Sequence, residues 1–200
     1  MSSRVTHAYS ARSAEYVHNF GSISSAHASD RQLISSWAAG VQGCIIDAGC
    51  GPGHWSGYLA EHGIDVRGVD QVPAFIEHAR AAFPHLCFEL RNFDRLPDET
   101  GRVGGILAWY SLIHHHPRTI DVTLHEFARV LRPGGTLLIG FFVGPDVEPF
   151  DHTVVTAYRW TPDALRDRLR AAGLEVIETH TRAGRDPRPR PHGAIIAQRA

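Results

Sequence analysis

The sequence predicts an α/β fold with a doubly wound sheet of seven strands, mostly parallel and with the last strand antiparallel. Short apolar segments alternate with amphipathic helices from residue 44 onward. The strands are apolar on both faces, which is typical of a parallel sheet covered by helices. The last two strands are separated by about twelve residues without a helix. A parallel return needs a longer crossover, so this pair must be antiparallel. Together these features indicate a single Rossmann-like domain.

Glycine and proline mark the element boundaries. The first predicted helix is capped by Asp30 and ends at Gly40, and the second runs from His54 to His62. A third helix begins at Pro73, a fourth covers about 119–131, and a fifth runs from Thr161 to Gly173. The predicted strands are 44–48, 65–70, 86–90, 103–110, 136–143, 174–181 and 194–199. Residues 1–29 lack a clear period and are predicted to form an N-terminal arm or lid, outside a main domain at 30–200.

Composition excludes several enzyme classes. Arginine supplies all 20 basic charges, because the chain contains no lysine. This absence excludes pyridoxal enzymes, lysine aldolases, P-loop NTPases with the usual lysine, and reductases that use a Tyr-x-x-x-Lys motif. The net charge of −1 offers nothing that would attract nucleic acid or an anionic membrane.

The three cysteines are an odd number without a C-x-x-C motif, which predicts a reducing, cytoplasmic environment. We expect no signal peptide and no membrane span, since no apolar run approaches ~18 residues.

A glycine-rich loop follows the first strand, with the sequence Asp47-Ala48-Gly49-Cys50-Gly51-Pro52-Gly53. In open α/β sheets, ligands bind at the carboxyl ends of strands, and glycines let them approach the backbone. Position 54 is His rather than the third glycine of the dinucleotide fingerprint, which weakens a pyrophosphate-binding interpretation. Asp70 ends the second strand, where a carboxylate can accept hydrogen bonds from ribose hydroxyls.

With these motifs in place, the chain resembles the class I S-adenosylmethionine-dependent methyltransferases. The resemblance depends on IIDAGCGPG at 45–53, VDQ at 69–71, LAWYSLIHH at 107–115 and RVLRPGGTLLIGFF at 129–142. It covers roughly residues 40–200 and is greatest to the small-molecule branch that includes quinone-biosynthesis methyltransferases. It implies S-adenosylmethionine as the cofactor.

The resemblance also assigns cofactor contacts. It implies that the methionine moiety lies against Asp47, Ala48, Gly49, Cys50, Gly51 and Gly53. Asp70 would hold the ribose and Gln71 would flank the adenine. Aligned on Leu96-Pro97, Asn92 takes a position that is usually acidic, with Phe93 free to contact the adenine ring and Asp94 as the alternative polar contact. Trp109, Tyr110 and Ser111 would lie near the sulfonium.

Transfer to a hydroxyl or thiol also needs a base, and histidine suits this role. His114, His115 and His116 follow the fourth strand. Three adjacent histidines cannot all face one ion, and no carboxylate has ligand spacing, so we predict no metal site. Either one of them packs while another is solvated, or His114 or His115 lines the cofactor or acts as the base. The catalytic candidates are His114, His115 and Tyr110.

Three further segments supply acceptor-site candidates. His152, Tyr158 and Trp160 lie where the family commonly covers its substrate, although a packed aromatic cluster is the alternative. Tyr9, Arg12 and Tyr16 share one helical face, and the family often closes such a helix over the cofactor; a frayed surface arm is the alternative. Arg182, with Arg188 or Arg190, can recognise a carboxylate or phosphate on the acceptor, or belong to a solvated basic loop.

We therefore expect methyl transfer to a small-molecule acceptor by a monomer or homodimer. One alternative is a protein that binds S-adenosylmethionine without turnover, and methylation of a protein is another. A nucleotide-dependent oxidoreductase is disfavoured by His54 and by the lack of lysine. The motif of amino-methylating DNA enzymes is absent, so a nucleic-acid substrate is not expected.

Overall fold

The computed structural model describes residues 3–183 and 190–200, in which a mostly parallel sheet carries helices on both faces. The helices are α1 (Ser3–Ala11), α2 (Ser13–Phe20), α3 (Ala28–Gly40), α4 (His54–Glu61), α5 (Pro73–Ala82), α6 (Ile120–Val130) and α7 (Pro162–Ala171), with a 3₁₀ turn at Ile23–Ser25. The strands are β1 (Ile45–Ala48), β2 (Val66–Asp70), β3 (Cys87–Leu90), β4 (Val103–Trp109), β5 (Leu131–Val143), β6 (Glu148–Phe150), β7 (Ala157–Trp160), β8 (Leu174–Arg182) and β9 (His192–Arg199).

Six strands pair in parallel, in the order β3-β2-β1-β4-β5-β7. β9 then pairs antiparallel with β5, and β8 pairs antiparallel with β9. The order reverses at β1, which lies between β2 and β4. The predicted α/β class, the parallel sheet and the reversed last strand are confirmed.

All seven predicted strands are present, and the structure adds two short ones, β6 and β7. β7 pairs with Phe142 and Val143, beyond the point where β4 stops pairing with β5. β6 folds back antiparallel onto β7. Strands of three and four residues are too short to show a period of two in the sequence. The segment after β5 is therefore a small hairpin rather than an open loop.

Two predicted boundaries were also wrong. β5 begins at Leu131 rather than 136, because the strand continues through the Pro-Gly-Gly segment. Its pairing register with β4 shifts there, between Val103 and Gly105. Asp30 does not cap α3. His27 is the capping residue, and its Nδ1 accepts the backbone N–H of Ser29 at 3.2 Å. Asp30 instead forms an ion pair across the molecule, as described below.

The apolar core lies on both faces of the sheet. One face packs α6 and α7 through Leu124, Phe127 and Leu165. The other face packs α3 and α4, with Ile34 and Leu59 fully or almost fully buried. Because helices cover both faces, ligand access is left to the edges of the sheet.

The carboxyl edge gathers the ends of β1, β2, β4 and β5. β9 runs the other way, so its first residue, His192, meets this edge, paired in register with Phe142. Among residues 3–183 and 190–200, no helix is long and apolar enough to cross a membrane. Within the same residues, His, Cys, Asp and Glu side chains form no group of three or more placed to hold a metal ion.

Candidate active site

A cavity of about 630 Å³ opens at the carboxyl edge of the sheet. Its floor is the glycine loop after β1 and the end of β2. One wall is the segment after β4, and another is formed by α1 and α2. The β6–β7 connection and the start of β9 close the far side. The cavity therefore spans the point where the strand order reverses, which is the usual ligand position in such folds.

The backbone of the glycine loop forms the floor. Gly49 and Gly51 have positive φ values of 82° and 54°, in the left-handed region that favours glycine. A Cβ atom on Gly49 would lie closer than 3.0 Å to the Cβ of Ser111. The backbone N–H groups of Gly49 and Cys50 donate to the Val69 carbonyl at 2.8 and 3.1 Å. These contacts fix the loop against β2 and leave it open toward the cavity.

Asp70 joins the two halves of this floor. One carboxylate oxygen accepts the N–H of Gly51 at 2.9 Å, and the other accepts the N–H of Val72 at 2.8 Å. Burial raises the pKa of Asp70, and the backbone hydrogen bonds oppose that rise. A carboxylate oxygen can accept more than one hydrogen bond, so both oxygens retain capacity for a ligand.

Asp47 is a second buried carboxylate on the floor. Its Oδ2 accepts the hydroxyl of Ser56 at 2.7 Å. Burial raises the pKa of Asp47 to about 7; the Ser56 hydrogen bond opposes the rise and the Asp70 charge adds to it. Proton occupancy of Asp47 therefore changes near neutral pH, before any ligand is added.

Two buried polar atoms at the floor have no hydrogen-bond partner among residues 3–183 and 190–200. They are Ser111 Oγ and His54 Nδ1, and both residues line the cavity. Phe93, only 1% exposed, presents its ring to the cavity beside Gly49. Because buried polar groups are normally satisfied, these atoms indicate a polar ligand at this end of the cavity.

The other end of the cavity contains a chain of aromatic and imidazole rings. Tyr110 has a φ of 56°. Among the described residues, it is the non-glycine residue with a positive φ. Its hydroxyl lies 2.5 Å from Nδ1 of His192. The Phe142 ring lies 5.0 Å from Tyr110 and 5.7 Å from His192, between ring centroids. Strained backbone of this kind concentrates at functional sites.

His114 connects this end to the N-terminal helices. Its Nδ1–H donates to the Thr156 carbonyl at 2.9 Å, so in the neutral ring Nε2 accepts from the Tyr9 hydroxyl, 2.8 Å away. Burial lowers the pKa of His114 and favours the neutral ring. The Tyr9 ring packs against Phe75 and Tyr16, so α1 and α2 cover the floor.

The arginines at the cavity differ in their partners. Arg12 pairs with Glu15 at 2.8 Å and donates to the Thr153 carbonyl. Arg182 pairs with Asp30 at 3.1 Å, and both side chains are largely buried. Arg190 is exposed, and its guanidinium lies 5.9 Å from the Phe150 ring centre. Within the described part of the chain, Arg190 forms no ion pair.

Most predicted site residues line the cavity. They are Asp47, Gly49, Cys50, Gly51, Asp70, Phe93, Trp109, Tyr110, Ser111, His114, His152, Tyr9, Arg12, Tyr16, Arg182 and Arg190. Their roles remain predictions. Other predicted residues do not line it: Ala48, Gly53, Gln71, Asn92, Asp94, His115, Tyr158 and Trp160. Arg188 lies outside the described residues.

The residues that miss the cavity have structural contacts instead. Nε2 of His115 lies 3.1 Å from a carboxylate oxygen of Asp94, and that oxygen also accepts the Thr123 hydroxyl. Burial raises the pKa of Asp94, but these hydrogen bonds outweigh it and hold the pKa low. Tyr158 packs on the His116 ring, and Trp160 is buried in the core beside α7.

Comparison with known proteins identifies the domain. The methyltransferase domain family matches residues 45–135, the stretch from β1 into β5 that carries the floor of the cavity. Residues 45–135 therefore match a methyltransferase domain, and S-adenosylmethionine-dependent methyltransferases are among the relatives of the chain. A probable S-adenosylmethionine-dependent methyltransferase of Mycolicibacterium smegmatis is 29% identical over 143 residues, 68% of this chain and 53% of that protein.

Two further comparisons show how widely this domain is used. An S-adenosyl-L-methionine-dependent Diels-Alderase of Talaromyces variabilis is 36% identical over 113 residues, 52% of this chain and 38% of that protein. The chain thus spans about half or less of these relatives' length. The 1,6-didemethyltoxoflavin-N1-methyltransferase structure from Burkholderia thailandensis superposes with a TM-score of 0.75 at 22% identity, covering 100% of this chain and 92% of that one. This likeness supports the Rossmann-like fold.

The cofactor of such a domain is S-adenosylmethionine, and the cavity fits it. The methyltransferase domain offers a glycine backbone that a Cβ would obstruct, the Asp70 carboxylate for hydroxyl groups, and unpartnered polar atoms on Ser111 and His54. Asp47 is placed to meet a cationic amino group from the floor. The residues present therefore suit a ligand with an amino group, a ribose and a flat ring.

Sequence reasoning missed several cavity residues of the methyltransferase domain. Phe142, Asp30 and His192 reach the site through pairing across β5 and through the Arg182 ion pair. Neither the strand pairing nor the ion pair produces a recognisable residue spacing in the sequence. His192 carried one clue, since it begins the strand that must run back to the cofactor edge.

Replacing His115 with alanine tests whether it acts in catalysis or in packing. We expect the free energy of unfolding to fall by about 2 kcal/mol, because the Asp94 network loses a buried partner. Affinity for S-adenosylhomocysteine should change less than threefold. Urea unfolding and calorimetry measure both quantities, with His85→Ala as the exposed control. A stable His115→Ala protein that fails to turn over would assign His115 to catalysis.

The buried His54 predicts a pH-dependent stability. Burial lowers its pKa to about 4, and the start of α4 also disfavours positive charge there. The neutral ring contributes its full share to the free energy of unfolding above the ordinary histidine pKa of about 6.5. This contribution is lost as the pH falls toward 4. As the pH falls from about 6.5 to about 4, the free energy of unfolding of His54→Gln should rise by about 2 kcal/mol relative to that of the wild type. Urea unfolding at several pH values measures this, and His85→Gln should show no such gain.

Proposed function

We propose that this protein transfers the methyl group of S-adenosylmethionine to a small-molecule acceptor that bears a carboxylate or phosphate. The observation that supports this most is the joining of two unlike ends in one cavity. One end has the glycine floor and Asp70. The other end has aromatic rings and Arg190, which forms no ion pair with the residues that the structure describes. A donor and an acceptor can therefore lie side by side.

The chain's own residues would mainly position the reactants. S-adenosylmethionine supplies an activated methyl group on a sulfonium. Asp70 would accept hydrogen bonds from ribose hydroxyls, and Asp47 would face the methionine amino group. Tyr9, Tyr16 and Phe75 would exclude water from above the floor. Orientation of this kind contributes up to ~7–11 kcal/mol to lowering a barrier.

The N-terminal residues 1–29 would serve as the lid, with the domain proper at 30–200. The hydrogen bond between Tyr9 and His114 supports this division, because it ties α1 to the segment after β4. Arg12 adds a second tie, to the Thr153 carbonyl in the connection after β6. The lid thus touches both the cofactor end and the acceptor end.

Calorimetry with S-adenosylmethionine, S-adenosylhomocysteine and NADPH tests the proposal. We expect micromolar binding of the first two and none of NADPH. Screening acidic metabolites for formation of S-adenosylhomocysteine then tests turnover. Binding of NADPH in place of the adenosyl ligands would overturn the proposed function.

The alternative is a protein that binds S-adenosylmethionine without transferring its methyl group. The Talaromyces relative supports this alternative, because its name describes a cycloaddition enzyme that depends on the same molecule. Tight binding of S-adenosylmethionine with no methylated product from small molecules or proteins would favour it. Methylated protein in the same assay would instead redirect the search from small molecules to polypeptide acceptors.

A further inference from the structure

The pair formed by Tyr110 and His192 is the most unusual feature of the acceptor end. Tyr110 holds a φ of 56°, and its hydroxyl lies 2.5 Å from Nδ1 of His192. His192 opens β9 and pairs in register with Phe142, so three strands converge on this contact. A strained residue and a short hydrogen bond at one point indicate a function beyond packing.

We propose that His192 accepts the proton of the acceptor's hydroxyl, and that the acceptor is a hydroxylated aromatic carboxylic acid. This inference rests on the proposed function and deepens it. The acceptor's ring would pack against Phe142, and its carboxylate would meet Arg190.

The proton chemistry follows from the hydrogen bonds of His192. When Nδ1–H donates to the Tyr110 oxygen, the lone pair on Nε2 is available to a ligand. Nε2 has no hydrogen-bond partner among residues 3–183 and 190–200. The hydroxyl proton passes to Nε2, the oxygen gives an electron pair to the methyl carbon, and the sulfur keeps the pair from the bond that breaks. Burial lowers the pKa of His192, which favours the neutral ring that a proton acceptor needs.

The aromatic class follows from the surroundings of the pair. The Phe142 ring is 5.3 Å from Phe150 and 6.1 Å from His152, between centroids. Flat ligands pack favourably on such ring walls. Burial, together with the nearby His114, Arg190 and Arg12, lowers the pKa of His152 to about 4, so this wall is uncharged at neutral pH.

The acid is assigned to Arg190 rather than Arg182. Arg182 is already neutralised by Asp30 at 3.1 Å, inside a largely buried pair. Arg190 lies at the same end of the cavity, and within the described residues it has no carboxylate partner. An arginine fork matches a carboxylate, so the acid group of the acceptor would be held there.

Binding of simple phenolic acids tests the acceptor class. The probes are 3- and 4-hydroxybenzoate, the matching hydroxybenzamides and benzoate, titrated into protein with and without S-adenosylhomocysteine. We expect the hydroxybenzoates to bind at least tenfold tighter than the amides, with the preference lost in Arg190→Gln and kept in Arg102→Gln. Absence of binding by the hydroxybenzoates, or equal binding of acid and amide, overturns the class. Binding of acids without S-adenosylhomocysteine binding would overturn the proposed function alone.

Activity against pH tests the role of His192. With a methylated hydroxybenzoate, His192→Gln should lower kcat on the order of a hundredfold and remove the acid limb of the pH profile. Tyr110→Phe should move that limb to lower pH, because the imidazolium loses a hydrogen-bond acceptor. The charged and titratable groups facing His192 are Asp30, His27, Tyr110, Arg182 and Arg190. Exposed His180→Gln is the control, and an unchanged profile in His192→Gln overturns the role.

Discussion

Asp70→Ala should lower the affinity for S-adenosylhomocysteine on the order of a hundredfold or more. The carboxylate lies at the end of β2, only 7% exposed, with one oxygen held by the glycine loop at Gly51 and the other by the backbone of Val72. Charge-assisted hydrogen bonds to ribose hydroxyls contribute about 1.5–3 kcal/mol each, and the variant would lose two of them. Calorimetry with S-adenosylhomocysteine measures the loss directly.

The control for Asp70 lies just before the same strand. Asp65 precedes β2 at the opposite edge of the sheet and is exposed, so Asp65→Ala should bind as the wild type does. Asp70 also accepts the N–H groups of Gly51 and Val72, and its removal can loosen the loop. Urea unfolding separates this effect, and Asp70→Asn keeps the shape of the side chain while losing its charge. Wild-type affinity in a folded Asp70→Ala protein would remove Asp70 from the cofactor site.

The sequence could predict those parts of the fold that depend on patterns among neighbouring residues. Apolar runs and their glycine or proline ends located five of the six parallel strands, and the short connection located the reversed pair β8–β9. The glycine loop and Asp70 followed, because each lies at a strand end visible in the sequence. β6 and β7 were missed because their pairing partner, the end of β5, is distant in the chain and the strands are short.

The site shows the same division at the level of single residues. His114 and His115 are adjacent, yet His114 lines the cavity and His115 points to Asp94. The turn that separates them begins at Tyr110, whose left-handed φ no propensity predicts. Pairing across β5 brings His192 opposite Phe142. Side-chain direction after a strand end depends on such backbone choices, so the sequence identified the histidine run but not the member that faces the ligand.

Gly49→Ala should destabilise the protein by about 3 kcal/mol and abolish tight cofactor binding. Gly49 has a φ of 82°, and its added Cβ would lie closer than 3.0 Å to Ser111 Cβ. Left-handed backbone costs alanine about 1 kcal/mol, and the forced overlap adds about 2 kcal/mol more. The clash also moves the loop that Val69 holds, so the floor of the cavity changes shape. Urea unfolding and calorimetry with S-adenosylhomocysteine measure the two effects.

The chain contains a control that separates strain from overlap. Gly63 has a φ of 76°, and nothing lies within 4 Å of a Cβ built there. Gly63→Ala should therefore cost only the backbone strain of about 1 kcal/mol and leave affinity unchanged. Adding Ser111→Gly to Gly49→Ala removes the overlapping Cβ and should restore about 2 kcal/mol of stability. Equal losses for Gly49→Ala and Gly63→Ala would show that the close approach to Ser111 does not shape the floor.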